Sequence, residues 1–365
     1  MRTYRYHNPV AATFGRNAIE SLKQTVGNRN AVLVTFPEAE GLGITGRITD
    51  ILGDRIIAVE SGTEPNPDIV GLTTMYRRFW SEHRQCEVIV AVGGGSTLDT
   101  AKALMVGTTG GEFDELLASL VSGSTFAPPR TRPLIAVPTT AGTGSEVTPW
   151  ATVWDRSVKM KKYSLHLKET WPEAAVVDPE LTLSLPASVT LQSGLDALSH
   201  ALESIWNVNA NPVSDTFAVS AAREMMDTLP LLMADLRNVE LRARASLAAL
   251  KAGFAFSNTK TALAHSISYE MTLRHGLPHG IACSFTLPMV LGRAVGKHTD
   301  RDQVLSGVFP CSLDDAPAYL AQFLELLQVS TRFDSYGVSE PEAQKMIADA
   351  LDGVRGRNFI GSQAA

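Results

Sequence analysis

Four short runs constrain this chain most: residues 31–35, 56–59, 88–92 and 134–137 are almost wholly apolar, each four or five residues long. A strand wet on one face alternates apolar and polar side chains, whereas a run apolar at nearly every position has to be covered on both faces. Helical patterns lie between the runs, at residues 46–52 and about 67–84. Short buried strands alternating with helices predict a parallel sheet with helices on both sides, a Rossmann-like α/β domain. Such sheets bind ligands beyond the carboxyl ends of their strands.

That rule directs attention to Gly93-Gly94-Gly95-Ser96-Thr97-Leu98-Asp99-Thr100-Ala101-Lys102, which follows the third run and opens a helix. Glycines let the backbone approach a pyrophosphate closely, and the helix start offers unpaired N–H groups and partial positive charge. Any tight strand-to-helix turn can also use glycine, and neither G-x-G-x-x-G nor a P-loop is present. A second loop after the fourth run, Pro138-Thr139-Thr140-Ala141-Gly142-Thr143-Gly144-Ser145, interleaves small hydroxyl residues with glycine. Two such loops, each after a buried strand, point to a nucleotide clamp.

Beyond Pro186 the period changes. Long amphipathic patterns run at about 190–206, 212–236, 240–256, 258–273 and 314–327, with no clear strand among them. An all-α domain is expected over residues 186–365, after an α/β domain over 1–185. In the first of these helices Asp196 and His200 stand four residues apart, on one face, among Leu195, Leu198, Ala201 and Leu202. Taken alone, such a pair more often marks a simple hydrogen bond or a solvated face. A buried carboxylate, however, needs a partner or a cation. His265 and His279 lie in a later histidine-rich segment, and one oxygen with three nitrogens would make a complete set for Fe(II) or Zn(II).

The formal net charge of -6 over 365 residues argues against nucleic acid or an anionic membrane as partner. Cys86, Cys283 and Cys311 are scattered and lack C-x-x-C spacing, so neither disulfides nor a cysteine metal site is indicated, and a reducing cytoplasm fits. No signal core opens the chain, and no run approaches the roughly 18 apolar residues of a membrane helix.

The motifs at 93–102 and 138–148, Asp-Pro-Glu-Leu-Thr at 178–182, Gly-Leu-Asp-Ala-Leu-Ser-His at 194–200 and Pro-His-Gly at 278–280 together resemble the iron-containing (group III) alcohol dehydrogenase family, with its dehydroquinate synthase-like fold. The resemblance implies a nucleotide-binding α/β domain, a helical domain, an active site between them, and a homodimer. It places Asp196, His200, His265 and His279 as metal ligands. Gly94, Gly95 and Ser96 fall at the pyrophosphate loop, Asp99 near the nicotinamide end, and Thr139, Thr140 and Thr143 at the second clamp. Lys162 matches a cofactor-contacting lysine, and Asn66 lies in a loop close to the cofactor.

Two departures carry consequences. Phe36 stands where many members have an Asp that binds the adenosine ribose, so NADP(H) is admitted beside NAD(H). Tyr269 replaces a second histidine near the substrate and is a candidate proton donor, as is His275. The segments 154–166 and 266–278 look most similar to the phosphonoacetaldehyde reductase branch, with Lys161, Arg274 or His275 as cationic partners of a phosphonate. Reduction of a lactaldehyde- or butanol-type substrate, or a dehydroquinate synthase-type lyase reaction, are the competing readings.

Overall fold

The computed structural model describes residues 3–156 and 161–362. Ser157, Val158, Lys159 and Met160, part of the segment similar to the phosphonoacetaldehyde reductases, lie outside the described residues. The chain forms two compact units. One comprises Pro9–Thr140 and Ser145–Ser184; the other comprises the residues from Leu185 on, the stretch Ala141–Gly144 and the first residues up to Asn8.

The first unit is built on a six-stranded, wholly parallel sheet in the order Ala11–Phe14, Ala174–Val177, Leu134–Pro138, Val88–Gly93, Ala31–Thr35, Ile56–Glu60. The central strands are buried at every position, as their uninterrupted apolar runs require. Two strands were not expected: Ala174–Val177, and the outermost Ala11–Phe14, which is exposed throughout. An antiparallel pair, Trp150–Asp155 with Lys161–His166, follows the second loop.

Charge is buried in this unit beside the glycine turn. Lys102, on the Gly95–Leu104 helix, is fully buried and its Nζ donates to Ser145 O at 2.6 Å, Ser145 Oγ at 2.7 Å and Trp150 O at 2.8 Å. Asp99, one turn earlier, accepts from Ser145 Oγ and from Thr152 N–H, each at 2.8 Å. Helix and loop are thus tied by charge-assisted bonds that leave few donors unsatisfied. Burial pushes the Lys102 ammonium down to about 8 against the pull of Asp99 and Glu146. Burial likewise pushes the Glu146 carboxyl up to about 7.

The second unit is helical, as the amphipathic patterns require. Its principal helices are Ala187–Ile205, Pro212–Ala234, Val239–Thr259, Leu263–His275 and Glu340–Asp352. Ala218, Ala221, Ala222, Ala245, Ala248, Ala249 and Ala252 belong to its core, their small side chains allowing close helix approach. Asn211 caps the second helix in a reciprocal box with Ser214, and Asn238 caps the third. The helix expected from residue 258 begins instead at Leu263. Lys260 adopts φ 67°, which stops the preceding helix and turns the chain.

The buried acid generates a prediction. A folded carboxyl titrating near 7 rather than the usual 4.5 keeps its proton between those values while the unfolded chain loses it, so stability falls as pH rises through that window. Relative to wild type, Glu146→Gln should therefore gain roughly 1–3 kcal/mol between pH 5 and pH 8, read from urea unfolding at each pH. A constant difference across that range would contradict the assignment.

Candidate active site

Four side chains converge within the helical unit. Asp196 and His200 share the Ala187–Ile205 helix at i, i+4 spacing, with Asp196 Oδ1 3.7 Å from His200 Nε2. His265, near the start of the Leu263–His275 helix, brings its Nε2 to 3.4 Å from the same oxygen. His279 opens the His279–Ser284 helix, and its Nε2 lies 3.8 Å from that oxygen. The approach of His279 depends on Gly280, where a Cβ would sit 1.9 Å from the carbonyl oxygen of Gln192. Only glycine lets the backbone after His279 lie against the Ala187–Ile205 helix.

Packing fixes the rings. His200 stacks between Phe256, at 4.0 Å between centroids, and His265, at 4.6 Å; His279 meets His265 edge to face at 5.5 Å. Asp196, His200 and His265 are buried, whereas the His279 side chain keeps 30% of its exposure and marks the accessible side.

Glu203 completes the arrangement. It stands at i+7 from Asp196 and i+3 from His200, on the same helix face, and is fully buried. Its Oε2 accepts from His265 Nδ1 at 2.7 Å and from Ala262 N–H at 2.8 Å, and its Oε1 accepts from Ala264 N–H at 2.6 Å. An ionised carboxylate can only accept, so Nδ1 carries the proton and the neutral ring presents its lone pair at Nε2.

Several features fit a divalent cation. His265 Nε2 is buried, faces Asp196 and makes no hydrogen bond. Donors about 2.1 Å from a common ion at tetrahedral corners stand about 3.4 Å apart, close to the 3.4–3.8 Å between Asp196 Oδ1 and the three nitrogens. Among the described residues, the ion-pair partners of Asp196 and Glu203 are all histidines, with no Lys or Arg at ion-pair distance. Two buried carboxylates without a permanent cation demand positive charge from elsewhere.

The electrostatics show that demand. Burial alone would raise Asp196, yet the charges of His200, His279 and His265 hold it far below the carboxylate range. His265 is burdened by burial but is raised overall by Glu203 and Asp196. Burial pushes His200 down to about 4 despite Asp196.

Sequence reading passed over Cys283, one turn beyond His279. The tightest donor group, with all atoms within 4.8 Å, comprises Asp196, His265, His279 and Cys283 rather than His200. The thiol donates to Asp196 Oδ1 at 3.4 Å, and burial raises it well above the usual thiol range. His200, the fourth ligand that the resemblance implies, has its Nε2 3.7 Å from the same oxygen. The signal for Glu203 was present as its i+7 offset from Asp196, but an acid late in a helix reads as a solvated charge.

The cofactor candidates are distributed over both units. In the sheet unit, the Asn66 N–H donates to Ser96 Oγ at 2.9 Å, and Thr139 N–H to Gly93 O at 2.9 Å. A Cβ on Gly94 would meet the Thr140 methyl at 3.2 Å, so the glycine turn is a cradle lined by that threonine. Asn66, Gly94, Gly95, Ser96, Thr139 and Thr140 thus gather beyond the carboxyl ends of Val88–Gly93 and Leu134–Pro138. Asp99 points inward, with both oxygens used by Ser145 and Thr152. Lys162 projects from the antiparallel pair with Nζ 5.3 Å over the Trp154 ring. Thr143 belongs to the stretch that packs with the helical unit, where a Cβ on the preceding Gly142 would collide with Ser193 at 2.7 Å. Of the cationic candidates, Arg274 is 70% exposed and paired with Glu270, His275 Nε2 lies 3.4 Å from Glu342, and Lys161 is exposed.

Fold and site together define a two-unit, nucleotide-type α/β and all-α oxidoreductase. Residues 9–179 match the family described as iron-containing alcohol dehydrogenase, and residues 190–363 match the C-terminal part of the Fe-containing alcohol dehydrogenase family. The chain is therefore a member of the iron-containing alcohol dehydrogenase family. It is 30% identical over 360 residues to an NAD-dependent methanol dehydrogenase of Bacillus methanolicus, covering 95% of this chain and 93% of that one. It is 35% identical over 264 residues to a phosphonoacetaldehyde reductase of Streptomyces viridochromogenes, covering 71% and 65% respectively. The structure of a sulfoacetaldehyde reductase from Bifidobacterium kashiwanohense, in complex with NAD+, superposes with TM-score 0.89 at 28% identity, over 98% of this chain and 95% of that one. No helix among the described residues is long and apolar enough to cross a membrane.

The carboxylate behind His265 has a measurable role. Glu203→Gln should weaken Zn(II) binding about 10- to 100-fold in competition with a chromophoric chelator, with an unchanged circular dichroism spectrum. Equal affinity in the two proteins would remove Glu203 from the site.

Proposed function

We propose that this protein is a metal-dependent, nicotinamide-linked reductase of a small anionic aldehyde, converting phosphonoacetaldehyde to 2-hydroxyethylphosphonate. The observation that carries the reading is the convergence of three imidazole nitrogens on one buried carboxylate oxygen that has no Lys or Arg partner among the described residues. Asp196, His200, His265 and His279 would hold the ion, Fe(II) by family membership with Zn(II) as an alternative. When bound, the ion supplies Lewis-acid polarisation of a carbonyl oxygen, and the nicotinamide supplies the hydride.

The chain's own residues then bind, orient and insulate. Glu203 fixes the His265 tautomer, and Phe256, stacked on His200, keeps bulk water from the inner face of the donor set. Gly94, Gly95 and Ser96 would receive the pyrophosphate at the helix start, with Asn66, Thr139, Thr140, Thr143 and Lys162 around the rest of the cofactor. Asp99 acts at one remove, positioning the loop through Ser145. With no carboxylate at Phe36 to repel a 2'-phosphate, NADPH is accepted beside NADH. Tyr269, one turn from His265, is the candidate donor of the proton that balances hydride addition, one aldehyde and one reduced nicotinamide giving one alcohol.

The phosphonate reading is supported by the likeness to a phosphonoacetaldehyde reductase and to a sulfoacetaldehyde reductase. A neutral alcohol as substrate is the second reading, favoured by the 95% coverage against a methanol dehydrogenase. Chelator-stripped protein should fail to oxidise NADH or NADPH with phosphonoacetaldehyde and recover on adding Fe(II) or Zn(II), with one nicotinamide consumed per alcohol formed. Metal-independent turnover would contradict the mechanism, product without net nicotinamide oxidation would indicate a lyase, and equal kcat/KM for propionaldehyde would favour the neutral substrate.

A further inference from the structure

Arg355 differs from the other arginines near the helical core in how its charge is met. Arg274 is paired with Glu270, Arg301 with Asp215 and Arg244 with Glu224. Arg242, also pushed down by burial, donates to Leu236 O and Thr190 Oγ1. The Arg355 side chain has no hydrogen bond and no carboxylate at ion-pair distance among the described residues; its one close partner is the Tyr269 ring, whose centroid lies 4.7 Å from the guanidinium carbon. Burial pushes this guanidinium down to about 10, with Glu203 pulling the other way. A half-buried cation with no carboxylate at ion-pair distance among the described residues is costly to keep, and a ring face offsets only part of that cost.

Its position relates it to the donor set. Tyr269 follows His265 by four residues and Thr272 by seven, a single stripe along the Leu263–His275 helix, with Tyr269 about 6 Å along the axis from His265. Thr272 Oγ1 is buried and also lacks a hydrogen bond. The segment around Arg355 is clamped at two points, one on that helix and one just before it: Ser266 Oγ donates to Ala350 O at 3.0 Å, and Asn358 Nδ2 donates to Thr261 O at 2.9 Å. Arg355 is therefore held at a set distance from the metal-binding histidine.

We propose that Arg355 is the specificity-determining residue of this enzyme, binding a tetrahedral oxyanion, phosphonate or sulfonate, on the carbon next to the substrate aldehyde. The inference rests on the aldehyde reductase reading above. A planar fork of N–H donors not spent on protein matches two oxygens of such a group, and the Tyr269 ring beneath it sets its plane. Thr272 Oγ1, on the same stripe, is a further donor for the third oxygen. The Arg274, His275 and Lys161 candidates are displaced, because each is exposed or already faces a carboxylate.

The test compares wild type, Arg355→Met and Arg355→Lys, loaded with Zn(II), on phosphonoacetaldehyde, sulfoacetaldehyde and propionaldehyde, with calorimetric binding of 2-hydroxyethylphosphonate alongside. The methionine variant should lose about 100-fold in kcat/KM on both anionic aldehydes, mainly through KM, and less than about 3-fold on propionaldehyde. Its metal content should be unchanged and its binding of 2-hydroxyethylphosphonate abolished, with partial recovery in the lysine variant. An equal fall on all three aldehydes, or no fall, overturns the proposal, and if the methionine variant does not fold the lysine variant is judged by the same selectivity. Wild type that oxidises no nicotinamide with any aldehyde would fail the reductase reading itself; wild-type turnover with an unselective Arg355 variant would fail only the anion site.

Discussion

Two carboxylates buried on one helix face, with no arginine or lysine at ion-pair distance from either among the described residues, impose the constraint from which the rest of the helical unit follows. Asp196 and Glu203 cannot remain ionised in that interior unless positive charge is brought to them, and among the described residues their ion-pair partners are histidines. His265 links the two, giving its Nδ1 proton to Glu203 and turning Nε2 toward Asp196. The later helices arrange themselves to satisfy this demand. Lys260, in its left-handed conformation, turns the chain so that the N–H groups of Ala262 and Ala264 meet Glu203, and Gly280 admits His279.

The sheet unit meets a comparable problem in another way. Two of its charges are matched inside the fold: Lys102 is saturated by three oxygens of the 145–150 segment, and Asp99 by Ser145 and Thr152. Such a network specifies one geometry for the loop after Leu134–Pro138 relative to the glycine turn, because any shift leaves a buried donor unmet. Positioning of the loop and the candidate cation site thus fall to separate clusters. One is closed on itself, and the other is left short of a cation.

Much of this was legible in the sequence where a single physical rule dominates. Runs apolar at nearly every position read as doubly covered strands, and an acid four residues before a histidine reads as one helix face. Less legible were the features in which rules compete. The outer strand Ala11–Phe14 is exposed and lacks the apolar run that marks its neighbours. Lys102 and Glu203 are residue types that ordinarily seek water, so their burial follows from tertiary pairing that no local pattern encodes. Arg355 sits in a Gly-Val-Arg-Gly-Arg stretch that reads as a surface loop, and only the clamp to the Leu263–His275 helix brings it over Tyr269. The end of the helix before Lys260 was missed because a lysine with positive φ carries no compositional mark.

The central claim is that three imidazoles and one carboxylate, with the neighbouring thiol kept out, form the coordination shell of a single ion. Zinc K-edge X-ray absorption on the loaded protein tests it most directly. The account predicts one zinc per chain with only nitrogen and oxygen neighbours at about 2.0–2.1 Å and the multiple-scattering signature of three imidazole rings. A sulfur neighbour at about 2.3 Å, which would make Cys283 a ligand in place of His200, or a shell with fewer than three imidazoles, would contradict it.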